Sequence, residues 1–334
     1  MKLKKLHIDS YKVLQDFDID FCMNGVPADI IVIAGVNGTG KTTLLMRIIE
    51  SIALYDNTND SGRELDIDGL PKGQEGMAMI KFFSEGLDSL KTLSSYILRY
   101  VDKLVFEEGK TSTEAYIDVQ QKIDIILKGF QLDTRFFGID RDRNLIFTNT
   151  QGQKFGIKGL SSGEKQLLAK VFSLFVDEMK GKVVLMDEPE ESLHPSWQSN
   201  LIPVLRHCAE QNDCQFILAT HSPQIISSVY KEELRLLVRA EDGKIEAVTC
   251  NEGPYGWTVE KVLLEIQQVQ NLRTPEIEQQ LEELSRMIRK DETETEPFKR
   301  LWNKMEGTLG YSDRDLILMR MEMHRKRKKH EAKS

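Results

Sequence analysis

The chain has 334 residues, of which 40% are hydrophobic and 29% charged, enough for one large α/β domain with a substantial core or one domain plus a smaller appendage. A formal net charge of -8 excludes a protein that is basic all over, but not a local nucleic-acid surface. No uninterrupted apolar run is long enough to span a bilayer, and the basic start Met1-Lys2-Leu3-Lys4-Lys5-Leu6 leads into no long apolar segment. No signal peptide or membrane association is therefore expected. Cys22, Cys208, Cys214 and Cys250 form no CxxC pair and are expected to pack as reduced thiols, which points to a cytoplasmic location.

In chain order, residues 3–8 alternate as a strand, and 17–21 read as a second. Asn24-Gly25-Val26-Pro27 is a turn signal. The continuous apolar run 30–34 fits a strand buried on both faces of a mainly parallel sheet, and 42–54 follows with helical spacing. Residues 56–76 are polar and rich in Gly, Asp and Asn, as a loop would be, and 77–83 resemble a strand. Two amphipathic stretches, 87–105 and 113–128, predict a helical insertion over 84–130.

Segments 144–148 and 154–157 flank Thr150-Gln151-Gly152 as a hairpin. Helices are expected over 164–179 and 197–211, strands at 183–186 and 215–219, and a helix opening at 225–229. A second hairpin pairs 234–238 with 244–248 around Glu241-Asp242-Gly243. From 258 the pattern is helical, with breaks at Thr274-Pro275 and Glu296-Pro297. Strands alternating with helices predict a parallel sheet covered on both faces, decorated by antiparallel hairpins.

Four constellations carry chemistry. Gly35-Val36-Asn37-Gly38-Thr39-Gly40-Lys41-Thr42 is a complete GxxxxGK[ST] loop between a strand and a helix. Its glycines let backbone N–H groups wrap phosphates, and the helix N-terminus favours negative charge. Lys41 is expected to reach the β/γ-phosphates of ATP and Thr42 to ligate Mg²⁺, with Thr43 next to it in the binding set. Residues 183–188 form a buried strand ending in Asp187 and Glu188. Carboxylates at that end lie where ligands bind in such sheets, so Asp187 is expected to partner Mg²⁺, directly or through water. Glu188 is placed to polarise the attacking water.

The third is Leu160-Ser161-Ser162-Gly163-Glu164-Lys165-Gln166. Alone it reads as a helix N-cap. The fourth is the strand end at Thr220-His221-Ser222-Pro223, where a lone histidine is more often structural. Between these last lies Glu190-Glu191-Ser192-Leu193-His194-Pro195. His194 has no second histidine at ligand spacing, which disfavours a metal role.

Phosphate loop, Ser-Ser-Gly turn, acidic strand and histidine together, in this order, resemble the ABC-type ATPases, and the Asp-Glu-Pro-Glu…Leu-His-Pro form resembles the RecF-like, SMC-like and OLD-family branch. The resemblance covers about residues 3–248. It implies a P-loop ABC-type ATPase head at 1–256 and a helical C-terminal region with a basic tail at 257–334. It also implies that Ser161, Ser162, Gly163 and Glu164 form the signature that binds ATP held by the opposite subunit of a head-to-tail dimer. His221 is then the switch histidine, and residues 190–195 the D-loop region.

The family's Gln-bearing loop finds no match, since Gln74 precedes a strand-like stretch. Tyr11 and Lys12 stand where this branch often has an aromatic-basic pair near the nucleotide, though a surface turn fits equally. The insertion is too short for a long coiled coil, a helix of about twenty residues reaching ~30 Å, and reads as an arm or lid. Asp313-Arg314-Asp315 matches half of a Toprim metal site but fits a helix N-terminus better. Arg325-Lys326-Arg327-Lys328-Lys329 suits phosphates, an acidic partner or a solvated chain end.

The resemblance extends to stand-alone ATPases of bacterial antiphage systems, such as the Septu type paired with an HNH nuclease. That implies an ATPase whose nucleotide state controls an effector protein. Alternatives are a DNA-repair ATPase clamping DNA ends and a scaffold that holds ATP with little turnover. A transporter subunit is disfavoured by the D-loop form and the absent Gln loop.

Overall fold

The computed structural model describes residues 1–55, 65–68, 80–83, 89–176, 179–191 and 193–331. Gln74, Ser192, the start of the insertion at 84–88 and residues 77–79 of the expected strand lie outside them. In chain order come β1 (Lys2–Tyr11), β2 (Leu14–Asp20), the short β3 (Cys22–Met23) and β4 (Val26–Pro27), β5 (Ile30–Gly35) and α1 (Lys41–Tyr55). Then follow β6 (Leu65–Asp68), β7 (Ile80–Phe83), α2 (Ser89–Asp102), α3 (Ser112–Gly129), β8 (Arg135–Ile139), β9 (Leu145–Thr148) and β10 (Lys154–Gly156). The first unit is completed by α4 (Ser162–Val176), β11 (Val183–Asp187), α5 (Pro195–Asn212), β12 (Gln215–Ala219), α6 (Pro223–Ile226), β13 (Leu234–Arg239), β14 (Ile245–Val248) and α7 (Val259–Glu265). The remainder is α8 (Pro275–Arg289), α9 (Glu296–Leu309) and α10 (Arg314–Glu331).

The central sheet has the order β14-β13-β5-β12-β11-β7. Its pairings are parallel except for the β13–β14 hairpin. Pleating sends alternate side chains to opposite faces. Ile30, Val32 and Ala34 of β5 therefore enter one core with Val184, Met186, Phe216 and Leu218. Ile31 and Ile33 enter the other with Val183, Leu185, Ile217 and Ala219, against α1 residues Leu44, Leu45, Ile48 and Ile52.

A small antiparallel sheet, β2-β1-β6, covers the α1 side. β6 falls within the stretch expected to be a loop, because Leu65 supplies one apolar contact that its polar flanks hide. Two buried polar side chains tie this sheet to the central one. The Gln215 amide donates to Leu3 O and Ala28 O and accepts from Leu3 N, at 3.1, 2.9 and 2.8 Å. Arg235 of β13 donates to Asp20 O, at the end of β2, at 2.5 Å, and to Cys22 O just beyond it at 2.8 Å.

The insertion is not a projecting arm or lid. α2, a π turn at Lys103–Glu107 and α3 bury Leu93, Ile97, Leu104, Val119, Ile123 and Ile126 in the main core beside Phe172 of α4. The hairpin β9–β10 gains a third strand, β8, which sequence alone did not reveal. It is short and contains Gly138 at φ +151°, where the β8–β9 register slips.

Contacts divide the chain into Met1–Gln268 and Val269–Ser334, later than the expected 256, because Val262 and Ile266 are buried in the first unit's core. In the second unit α8, α9 and α10 pack around Leu284, Ile288, Met305 and Leu316. The basic run is part of helix α10 rather than a frayed end. The Lys326 ammonium donates to Ile288 O and Arg289 O at the end of α8, at 2.8 and 2.9 Å, and Arg327 pairs with Glu294 at 2.8 Å. No helix among the described residues is long and apolar enough to cross a membrane.

Candidate functional site

β5 ends at Gly35, φ +154°, where a Cβ would stand 2.6 Å from Leu237 O and 2.9 Å from Thr39 Oγ1. Only glycine fits that crossing of the β13 backbone. Gly38 and Gly40 also have positive φ, at +82° and +90°. A Cβ on Gly40 would meet Val13 Cγ2 at 2.8 Å, so the β1–β2 turn rests on the loop. Thr39 closes the loop by donating to Val36 O at 2.8 Å, and α1 begins at Lys41. Lys41 is 6% exposed, and its ammonium donates to Gly35 O at 2.9 Å and Val36 O at 3.3 Å. Burial pulls its pKa below the usual lysine value, against the opposing charges of Glu188, Asp187 and Glu190.

Parallel register explains why distant motifs meet. Asp187 of β11 lies beside Ala219 of β12, and Ala219 beside Ile33 of β5. The three chain segments that leave these strands therefore emerge together at the carboxyl edge of the sheet. Thr42 Oγ1 donates to Asp187 Oδ1 at 3.2 Å, joining residues 145 apart in sequence. Burial raises the Asp187 pKa, with the Glu188 charge adding to it and the Thr42 hydrogen bond, Lys41 and His221 opposing. A hydroxyl and a carboxylate this close are the hard oxygen donors that Mg²⁺ takes, so the residues present fit that ion.

Glu188 turns the chain in a left-handed conformation, φ +45°, and its N–H donates to Ala219 O at 2.9 Å. Its Oε1 lies 3.3 Å from His221 Nε2, both side chains being partly exposed. Burial lowers the His221 pKa, with the Lys41 charge acting the same way, so the ring stays neutral further into the acid range than a free imidazole.

Two residues not singled out for this site hold its frame. Glu190 Oε1 accepts from Thr220 Oγ1 at 2.6 Å, His221 N at 2.8 Å and Ser222 N at 2.9 Å. Gln267 Nε2 donates to His221 O at 2.6 Å. The acidic run after Asp187 was a signal for Glu190. Gln267 carried none, because it arrives from the end of α7, 46 residues beyond His221.

The Ser161–Glu164 segment caps α4. Glu164 N donates to Ser161 Oγ at 3.2 Å and Ser161 N to Glu164 Oε2 at 2.8 Å, a reciprocal capping box. Glu164 Oε1 also accepts from Thr134 at 2.9 Å. Gly163 packs on Trp197, with space for no Cβ, which would lie 2.8 Å from Cζ3. Ser162 is exposed. Among the described residues no hydrogen bond joins 161–164 to the phosphate loop.

Tyr11 donates to Glu50 at 2.8 Å, with Lys12 and Arg47 each 5.2 Å from its ring centroid. His194 caps α5, its Nδ1 accepting from Ser196 N at 3.3 Å. Asp313 Oδ1 accepts from Asp315 N and Leu316 N at the start of α10, and both acids pair with Arg273, at 2.8 and 2.7 Å. These acids serve as a helix N-terminus.

A family described as "AAA domain, putative AbiEii toxin, Type IV TA system" matches residues 54–227, more than half of the chain. Septu protein PtuA of Bacillus thuringiensis is 22% identical, the alignment covering 96% of this chain and 97% of that protein. The Retron Vc95 probable ATPase of Vibrio cholerae is 26% identical over 53% of this chain, and the Retron Ec83 probable ATPase of Escherichia coli 28% over 50%. The matched regions span only 36% and 32% of those two proteins. Among solved structures, the SMC head domain from Thermotoga maritima matches 75% of this chain at 16% identity, with a TM-score of 0.47. The matched family region runs from the end of α1 past α4 and the acidic strand β11 to the end of α6, and the chain belongs to this AAA-domain family, as a P-loop ATPase of the ABC type.

Proposed function

We propose that this chain binds Mg²⁺·ATP on the 35–43 loop and hydrolyses it between two copies arranged head to tail, using nucleotide state to control a separate effector protein in antiphage defence. The observation that carries the ATPase reading is the convergence of Thr42, Asp187, Glu188 and His221 at one sheet edge, with contacts of 3.2 and 3.3 Å. Loop N–H groups of residues 37–43 and the Lys41 ammonium bind the phosphates. The Thr42 hydroxyl and Asp187 carboxylate would hold Mg²⁺, which when bound neutralises charge on the β/γ-phosphate oxygens.

The Glu188 carboxylate accepts a hydrogen bond from the attacking water and orients it in line with the γ-phosphate. Neutral His221, beside Glu188, donates towards the γ-phosphate oxygens as charge develops. Ser162 and the Gly163 N–H of a second copy complete the site. In support, Ser162 is exposed at a helix N-terminus, where an anion is favoured. The effector role rests on the full-length similarity to the Septu protein. A nuclease is the expected effector class, and a cytoplasmic location the expected setting.

Lys41→Ala should abolish ATP binding measured by calorimetry. Glu188→Gln should retain it while lowering phosphate release by about 10²–10⁴-fold, the range expected on losing a general base. Tight binding by the first variant, or normal turnover by the second, would refute the reading. A stoichiometric nuclease should co-purify from native cells; its absence from an ATP-stabilised assembly removes the effector role.

A further inference from the structure

We infer that Glu190 and Gln267 are positioning residues that clamp the His221 peptide from opposite sides and thereby set its imidazole against Glu188. The inference rests on the reading of Glu188 and His221 as the hydrolytic pair. His221 stands two residues past the last paired residue of β12, after Thr220 has made the final bond to β5, so the sheet ladder no longer fixes it. Its N–H is held by Glu190 Oε1 at 2.8 Å and its C=O by Gln267 Nε2 at 2.6 Å. Both main-chain groups are thus satisfied by side chains, one from the turn after β11 and one from the segment after α7.

Glu190 concentrates its bonds on one oxygen. Oε1 takes three donors from consecutive residues, Thr220, His221 and Ser222, while Oε2 is buried with no partner among the described residues. An ionised acceptor makes shorter, stronger hydrogen bonds, and three convergent donors fix the direction of the backbone as well as its place. Ser222, whose hydroxyl donates to Gln198 at 2.6 Å and caps α6, locks the exit of the same turn. The Glu188 turn is tied to β12 by its own N–H to Ala219 O bond. Both partners of the 3.3 Å Glu188–His221 contact are therefore positioned from the backbone, and Glu190 sits on the same acidic turn as Glu188. Small displacements of a catalytic group cost rate steeply, so such a clamp acts on turnover rather than on nucleotide affinity.

Steady-state hydrolysis and ATP affinity are measured for the full chain, for Glu190→Gln, Gln267→Ala and His221→Ala, and for each of the first two combined with His221→Ala. Glu190→Gln and Gln267→Ala should each lower kcat about tenfold to a hundredfold with ATP affinity changed less than about twofold, and should cause no further loss in the His221→Ala background. In parallel, amide hydrogen exchange at His221 and Ser222 should quicken several-fold in Glu190→Gln, because a neutral acceptor is weaker. Wild-type kcat in either single variant, additive losses on top of His221→Ala, or unchanged exchange in Glu190→Gln overturns the clamp while leaving the hydrolytic pair standing. A His221→Ala variant that turns over normally overturns the pair itself, and the clamp with it.

Discussion

Burial acts on Lys41 and Asp187 in opposite directions, lowering the ammonium and raising the carboxyl, because both charged forms lose hydration. Their mutual attraction only partly offsets this. A phosphate charge arriving beside the Lys41 ammonium favours its charged form and opposes the effect of burial. The same physics operates away from the site. Burial, with help from Lys182, pushes the Lys81 amine from 10.5 down to about 8. Lys81 should therefore be acylated ahead of ordinary surface lysines at pH 8, as read by mass spectrometry of a brief acetylation, and Lys182→Gln should slow it. A lysine lowered in this way binds fewer protons folded than unfolded between those values, so its contribution to stability rises with pH across that window. A Lys81 labelling rate equal to the other lysines would contradict this assignment.

At the scale of elements, α5 carries Pro203 in its interior, which leaves the carbonyl of Ser199 without its helical donor. The Ser228 hydroxyl, just beyond α6, lies 3.0 Å from that carbonyl and 2.9 Å from Gln224 O, and its single proton is shared between them. An apparent flaw in one helix is thus the anchor for the chain that follows the histidine. Ser228→Ala should cost about 0.5–1.5 kcal/mol in urea unfolding, the net worth of one partly buried hydrogen bond. Adding Pro203→Ala should recover part of the loss, since the restored N–H can bond Ser199. Equal stability of Ser228→Ala and wild type would show that the carbonyl has another partner. The basic stretch of α10 teaches a related lesson: Lys326 and Arg327 spend their charge inside the second unit, so a run of cations in sequence overstates what is offered to nucleic acid.

For the whole molecule, the decisive expectation is that one ATP site needs two copies. Lys41→Ala and Ser162→Arg should each be inactive alone. Mixed in equal amounts, they form dimers in which the intact loop of one faces the intact signature of the other, giving one working site. Mixing should recover about a quarter of wild-type phosphate release under random pairing, one working site in the half of dimers that are mixed. Recovery of nothing, with both variants still dimeric, would remove the head-to-tail arrangement.

The phosphate loop, the acidic strand end, the mainly parallel sheet and the order of most helices are legible along the chain alone. Each of these is written in local terms: glycine where φ is positive or backbone crosses backbone, apolar runs where both faces are buried, and 3.6-residue spacing elsewhere. What those pieces share depends on how the strands pair. The strand register beside β5 and β12 brings Asp187, Glu188 and His221 to the loop. β6 and β8 were illegible because each is a few residues long and owes its state to a neighbour. The insertion packs on the core instead of projecting as an arm, and its apolar stripe looks alike in sequence whether it meets a partner or its own core. Glu190 was legible as an acid and Gln267 not at all, since a hydrogen bond across 46 residues leaves no periodicity in sequence.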